Sequence, residues 1–143
     1  MKTPEQIVRE ACQTVWNDFE IDRVGEFYGA DYTADYPMGD GWGSGVDGVK
    51  AYATLMRSAF PDYTEEVEDL IAQGDKVVVC LRVRGTHRGE LFGIPPTNKT
   101  VDARDITICE VRDGKIVKQT GLSDTFTMYT QLGLIPSAET EAA

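Results

Sequence analysis

Apolar positions recur at three- and four-residue intervals in the first sixty residues and give way to alternation in the second half. Ile7, Val8, Ala11, Cys12, Val15, Trp16 and Phe19 make one broad stripe, the spacing of a helix that buries a single face. Thr3-Pro4-Glu5-Gln6 predicts its start: Thr3 can cap, Pro4 suits the first turn, and Gln6 stands where a capping box needs it. The helix is expected to run to about Phe19. Ile21, Val24, Phe27 and Tyr28 predict a short second helix, with Gly29 placed to stop it. From Asp31 to Gly48 the periodicity fails and aromatic and glycine residues crowd in, which predicts a loop. A third helix is expected from Val46 to Phe60, with Val49, Tyr52, Ala53, Met56 and Phe60 on one face and Pro61-Asp62 ending it.

The second half reads as strands. Glu65 to Ala72 predicts a first strand and Gly74-Asp75 a turn. In the run from Lys76 to His87, Val77, Val79, Leu81 and Val83 share one face. Gly89, Gly93 and Pro95-Pro96 interrupt that pattern, and Asn98 falls where a tight turn needs a residue tolerant of positive φ. Val101 to Val111 and Lys115 to Leu122 are the next strands, joined by Asp113-Gly114, a pair suited to the primed hairpin turns. Phe126, Met128, Tyr129 and Leu132 follow in a short terminal segment, and residues 136–143 form a small acidic tail expected to fray. Three N-terminal helices followed by a four- or five-stranded antiparallel meander is an α+β layout with the helices on one face of the sheet.

Composition narrows the function classes. The 143 residues suit a single domain with a sizeable core. A formal charge of −10 opposes nucleic acid and anionic membrane surfaces as partners. There is neither a long apolar run nor a leader-like start, so a cytoplasmic location is expected. Cys12, Cys80 and Cys109 are dispersed and His87 is the only histidine, so neither a disulfide framework nor a zinc or multi-histidine metal site is expected. Gly39 to Gly45 is glycine-rich but lacks the lysine and strand-to-helix context of a phosphate-binding loop.

Several short motifs together resemble one family. They are Val15-Trp16-Asn17-Asp18, Ala59-Phe60-Pro61-Asp62, Gly74-Asp75-Lys76-Val77, Gly85-Thr86-His87, Gly93-Ile94-Pro95-Pro96-Thr97, Asp113-Gly114-Lys115-Ile116, Asp124 and Gln131-Leu132-Gly133. In this order and spacing the chain resembles the SnoaL-like polyketide cyclases of the nuclear transport factor fold superfamily. The resemblance implies a strongly curved sheet closing a cone with a deep apolar cavity, a homodimer built through the sheet, and no organic cofactor or metal. It also implies that Asp124, the acidic residue after the last strand, is a general acid/base for aldol ring closure. A carboxyl at the mouth of an apolar cavity can have its pKa raised into the useful range. Ser123-Asp124 before a helical segment is equally the signature of a helix cap. The chain departs from the family where a histidine and a tryptophan are common: Tyr36 and Thr120 stand there instead, and Tyr36, a poor base near neutral pH, is expected to assist Asp124 by orienting or protonating an oxygen.

Other candidates come from the residues themselves. Asp105 shares a strand face with Ala103, Thr107 and Cys109, opposite Arg104, Ile106 and Ile108. Either face could be the buried one. Arg104-Asp105 also suggests the acid–arginine sets of epoxide hydrolases with this fold, although adjacent strand residues point to opposite faces. His87 could carry protons or be a structural ring at the bend. Trp16, Tyr28, Tyr32, Tyr36, Met38, Trp42, Phe60 and Phe92 could line an apolar pocket with polar tips, with plain core packing as the alternative for Trp16 and Phe60. These features lead to a cofactor-independent cyclase acting on an apolar, oxygenated natural-product intermediate, by acid/base catalysis or by templated cycloaddition. An epoxide hydrolase or isomerase and a noncatalytic binding module are the alternatives.

Overall fold

The hydrogen-bond ladders place five strands in one sheet in the order β1-β5-β4-β3-β2. The computed structural model describes residues 1–37 and 43–136. Strand β2 (Thr64–Gln73), β3 (Lys76–Thr86), β4 (Thr100–Arg112) and β5 (Lys115–Ser123) form the expected antiparallel meander. Its hairpins follow the turn chemistry. Asp113 and Gly114 have φ of 51° and 76°, as a type I′ turn requires; Gly74 supplies φ of 59° at the other tight turn, and Asn98 adopts φ of 59° in the Pro-rich bend.

Strand β4 carries the clearest alternation. Val101, Ala103, Thr107, Cys109 and Val111 are buried on one face, while Ile106 and Ile108 are 49% and 43% exposed on the other. Asp105 therefore belongs to the inner face. Opposite it across the ladders stand Leu81 of β3 and Ser123 of β5.

Helix α1 (Pro4–Ala11) begins with the expected capping box: Gln6 N–H donates to Thr3 Oγ1 at 3.2 Å and Thr3 N–H to Gln6 Oε1 at 2.9 Å. It continues as a π-helical stretch over Cys12–Asn17, in which Asp18 N–H donates to Gln13 O at 2.8 Å. Arg57 Nη2 closes this end by donating to Trp16 O at 2.7 Å and Asn17 O at 3.0 Å, satisfying carbonyls that a helix terminus leaves open. Helix α2 (Gly45–Ala59) covers the same side of the sheet, and helix α3 (Thr125–Gln131) packs against β4.

One element differs in kind from the expectation. The second helical segment is a short 3₁₀ turn over Ile21–Glu26, and Tyr28–Asp35 is strand β1, pairing with β5 in parallel. Gly29 does not stop a helix; its missing Cβ lets β1 lie close to Val117, whose Cγ1 would sit 3.2 Å from an added methyl. Tyr28, Tyr32 and Tyr36 are four residues apart, a spacing that fits one helix face and also one strand face. Local sequence could not separate the two. None of the described helices is long and apolar enough to cross a membrane.

The segment after β3 closes the end of α2. Arg88 and Gly89 N–H groups both donate to Ala59 O, at 2.9 and 3.1 Å, and a Cβ on Gly89 would come within 2.2 Å of Ser58 O. A side chain there must push two backbones apart. Gly89→Ala is expected to destabilise the protein by about 1–3 kcal/mol, read as a lower urea midpoint at unchanged slope.

Candidate functional site

The concave face of the sheet, α1 and α2 enclose an apolar cavity of about 170 Å³. Val8, Ala11, Cys12 and Trp16 line it from the first helix, and Tyr52 and Met56 from α2. Val79, Leu81 and Val83 form the β3 wall; Ala103, Asp105, Thr107 and Cys109 form the β4 wall. Tyr36, Leu91, half-exposed Phe92, Thr125, Met128 and Tyr129 also line it. Two carboxyl groups, from Asp105 and Glu65, are set into this surface.

Asp105 Oδ2 accepts from Ser123 Oγ at 2.7 Å, while Oδ1 is buried without a hydrogen-bond partner among the described residues. Burial pushes the Asp105 carboxyl above its ordinary value, opposed by Ser123 and by the nearby Tyr36 hydroxyl. Tyr36 also interacts with Thr107, and burial and the Asp105 carboxylate hold its phenol well above the ordinary value. Gly121 makes room for it: a Cβ there would stand 2.3 Å from Tyr36 Cζ. Tyr36 is therefore seated as a neutral hydrogen-bonding group beside the carboxyl, not as a base.

Sequence reasoning missed Glu65. It is 8% exposed at the start of β2, where the Asn17 side chain clamps its backbone in both directions at 2.8 Å. Tyr63 OH donates to Glu65 Oε2 at 2.8 Å, and the Cys12 thiol also bonds the carboxyl. Burial raises its pKa from 4.5 to about 7, with a further push from Asp105, against those two donors. The signal was masked by composition and by a bulge. Glu65, Glu66, Glu68 and Asp69 crowd one strand, and the register shifts between Val67 and Asp69, so simple alternation does not show which acid points inward.

Four predicted site residues stand elsewhere. Asp124 is not on the cavity wall: it caps α3, accepting from Thr127 N–H at 3.1 Å and Thr127 Oγ1 at 2.6 Å, in solvent. Those bonds, the side-chain one first, hold its carboxyl below the ordinary value, the reverse of what a proton carrier at neutral pH needs. Asp105, not Asp124, is the aspartate on the cavity wall. His87 is fully buried beside Phe60, with ring centroids 5.5 Å apart, and its Nδ1 accepts from Thr97 N–H at 3.2 Å. It anchors the Pro-rich bend outside the cavity. Phe60 is core, packed against Gly85 as well. Tyr32 is buried behind the wall, where its hydroxyl donates to Gln119 Oε1 at 2.9 Å and so orients an amide that does line the cavity.

Trp16, Tyr28 and Phe92 are lining residues, as expected. Trp16 Nε1 donates to Tyr28 OH at 2.9 Å, so neither aromatic buries an unpaired polar tip. Met38 and Trp42 lie outside the described residues. Arg104 extends from the opposite face of β4, where it pairs with Glu68 at 3.5 Å; it cannot join Asp105 in an epoxide-opening set. No three metal-ligating side chains cluster among the described residues.

The Glu65 value has a thermodynamic consequence. Between about pH 4.5 and 7 the folded protein keeps a proton that the unfolded chain releases, so this contribution is full below the unfolded value and is lost as pH rises through the folded one. At most it amounts to about 3 kcal/mol. Glu65→Gln should flatten the decline in thermal midpoint across that window and be the more stable protein at about pH 8, as measured by calorimetry.

The sequence profile of the SnoaL-like polyketide cyclases matches residues 6–132. IdmH of Streptomyces antibioticus, designated a candidate polyketide cyclase, is 28% identical, with a TM-score of 0.79 over 92% of this chain and 99% of its own. A candidate polyketide cyclase of Bacillus cereus is 30% identical, with a TM-score of 0.71 over 85% of this chain and 74% of its own. AclR of Streptomyces galilaeus, designated a candidate hydroxylase, is 25% identical, with a TM-score of 0.79 over 98% and 93%. Among curated proteins none matches. With the family profile spanning nearly its whole length and a five-stranded curved sheet carrying the same architecture, this chain belongs to the SnoaL-like polyketide cyclase family.

Proposed function

We propose that the protein is a cofactor-independent cyclase that closes a ring in an apolar, oxygenated chain, with Asp105 as its base. The observation that carries this reading is the Asp105 carboxyl, set half-buried in the cavity wall with Oδ2 held by Ser123 and Oδ1 buried without a hydrogen-bond partner among the described residues. In an aldol closure the Asp105 carboxylate takes a proton from a carbon beside one carbonyl. The resulting enolate carbon bonds to a second carbonyl of the same chain, and the new alkoxide receives a proton to give a hydroxyl. Confinement between the Leu81 wall and Trp16 adds the benefit of holding the two ends together.

The same sheet offers a surface for a second copy. Ile106 and Leu122 are cross-strand partners on the outer face, next to Ile108 and, beyond Val78, to Ile71; all four isoleucine and leucine side chains are exposed. The neighbouring charges Arg84, Asp102 and Glu66 already pair with one another, leaving the apolar centre as the part that gains from burial. We infer a homodimer through this face. Ile106→Lys should convert it to monomer by size-exclusion chromatography with light scattering; an unchanged mass in the variant refutes the assignment.

An aryl-substituted diketone that can close on itself tests the chemistry. The native protein should accelerate formation of the cyclic hydroxyketone over buffer, and Asp105→Asn should lose about 10²–10⁴-fold, whereas Asp124→Asn should match the native rate. Full turnover in Asp105→Asn would leave ring closure to shape alone. Gly121→Ala, which displaces Tyr36, should slow the reaction without the full loss.

A further inference from the structure

Glu65 is not required by the single-base reading, yet the fold directs it into the same cavity. It stands opposite Val83 of β3, and Val83 is opposite Ala103 of β4, two residues from Asp105. The two carboxyls thus flank the Leu81–Val83 strip from either side, two strand spacings across and two residues along, about 12 Å apart at the backbone, with their side chains reaching over a concave surface. Their surroundings differ. Asp105 has Ser123 and Tyr36, whereas Glu65 lies under the first helix and meets Cys12, Tyr63 and, at longer range, Asp105. Tyr52, on α2, and Cys109, on β4, also sense it. No cation faces it from any of these elements among the described residues.

We propose that Glu65 is the acid partner of Asp105: a neutral carboxylic acid that donates a hydrogen bond to the substrate's carbonyl oxygen while Asp105 removes the neighbouring proton. This rests on the reading of Asp105 as base. Tyr63 and Cys12 both hold the Glu65 carboxyl in place, and as a neutral acid it presents its own proton to the cavity that it lines. An ionised Asp105 further discourages ionisation of Glu65, so the base favours the neutral form of its partner. The C–H electron pair moves into the enolate, the proton goes to Asp105, and the oxygen that gains charge is met by Glu65. Two carboxyls set in an otherwise mostly apolar wall suit an uncharged carbonyl compound with an enolisable carbon.

Nitrobenzisoxazole supplies a test that does not depend on the natural substrate. A base removes its ring proton, the N–O bond breaks, and a cyanonitrophenolate absorbs in the visible. The native protein should turn it over with a bell-shaped pH profile whose alkaline limb falls near the Glu65 value of about 7. Glu65→Gln should lose that limb, and Asp105→Asn should lose turnover. Binding of the phenolate product, followed by its absorbance, isolates the acid. Affinity for the native protein should fall about tenfold per pH unit above that midpoint. It should be flat with pH in Glu65→Gln, whose amide still donates, and be lost in Glu65→Ala. Native binding that is absent or flat with pH, or an alkaline limb that survives in Glu65→Gln, overturns the role of Glu65. Retained turnover in Asp105→Asn, with the binding profile intact, overturns the base alone.

Discussion

The costly element of this fold is the withdrawal from water of two carboxyl groups, that of Glu65 almost wholly and that of Asp105 in part. A carboxylate loses several kcal/mol of hydration on entering an apolar interior, and hydrogen bonds return part of it. Asp105 and Glu65 each receive such donors, Ser123 and Tyr36 for one and Tyr63 and Cys12 for the other, and neither receives a cation. Both are therefore left less ready to ionise than in solution. The supporting structure can be read as what makes this tolerable: a five-stranded sheet that fixes their spacing and helices that keep solvent away.

The supports are local and specific. Asn17 grips the Glu65 backbone with both halves of its amide, and Arg57 grips the carbonyls of Trp16 and Asn17 in turn. Arg57 also lies 5.3 Å from the Phe19 ring centroid. On the other side Gly121 admits Tyr36, and Ser123 extends from the end of β5 to Asp105. Position is set from outside the cavity, so the lining can remain largely apolar.

Much of the scaffold was legible because its signals are local. The capping box at Thr3, the positive φ at Asn98 and Asp113, and the alternation of β4 each follow from a few adjacent residues. What was not legible required long-range information. Tyr28, Tyr32 and Tyr36 suit a helix face and a strand face equally until β5 is there to pair with. Ser123-Asp124 reads as a cap or as an acid, and only the direction of the Asp124 side chain, turned onto Thr127 and into solvent, decides. Glu65 is concealed among four acids by a bulge that shifts the strand's parity. The functional reading thus moved from the exposed acid to buried ones, which are distinguished by surroundings, not by neighbours in sequence.

The π-helical stretch over Cys12–Asn17 has a further meaning. A π turn holds one more residue than an α turn over the same span, so it behaves as an insertion absorbed into a helix without a break. Cys12 lies before that extra residue takes effect and Asn17 after it. Removing one residue from the stretch would restore an ordinary helix and rotate everything beyond it by about 100°, turning Trp16 from the cavity and Asn17 from β2. The length of this segment, more than the identity of any side chain in it, is thus a quantity on which the inner acid depends, and substitution scans alone would not reveal it.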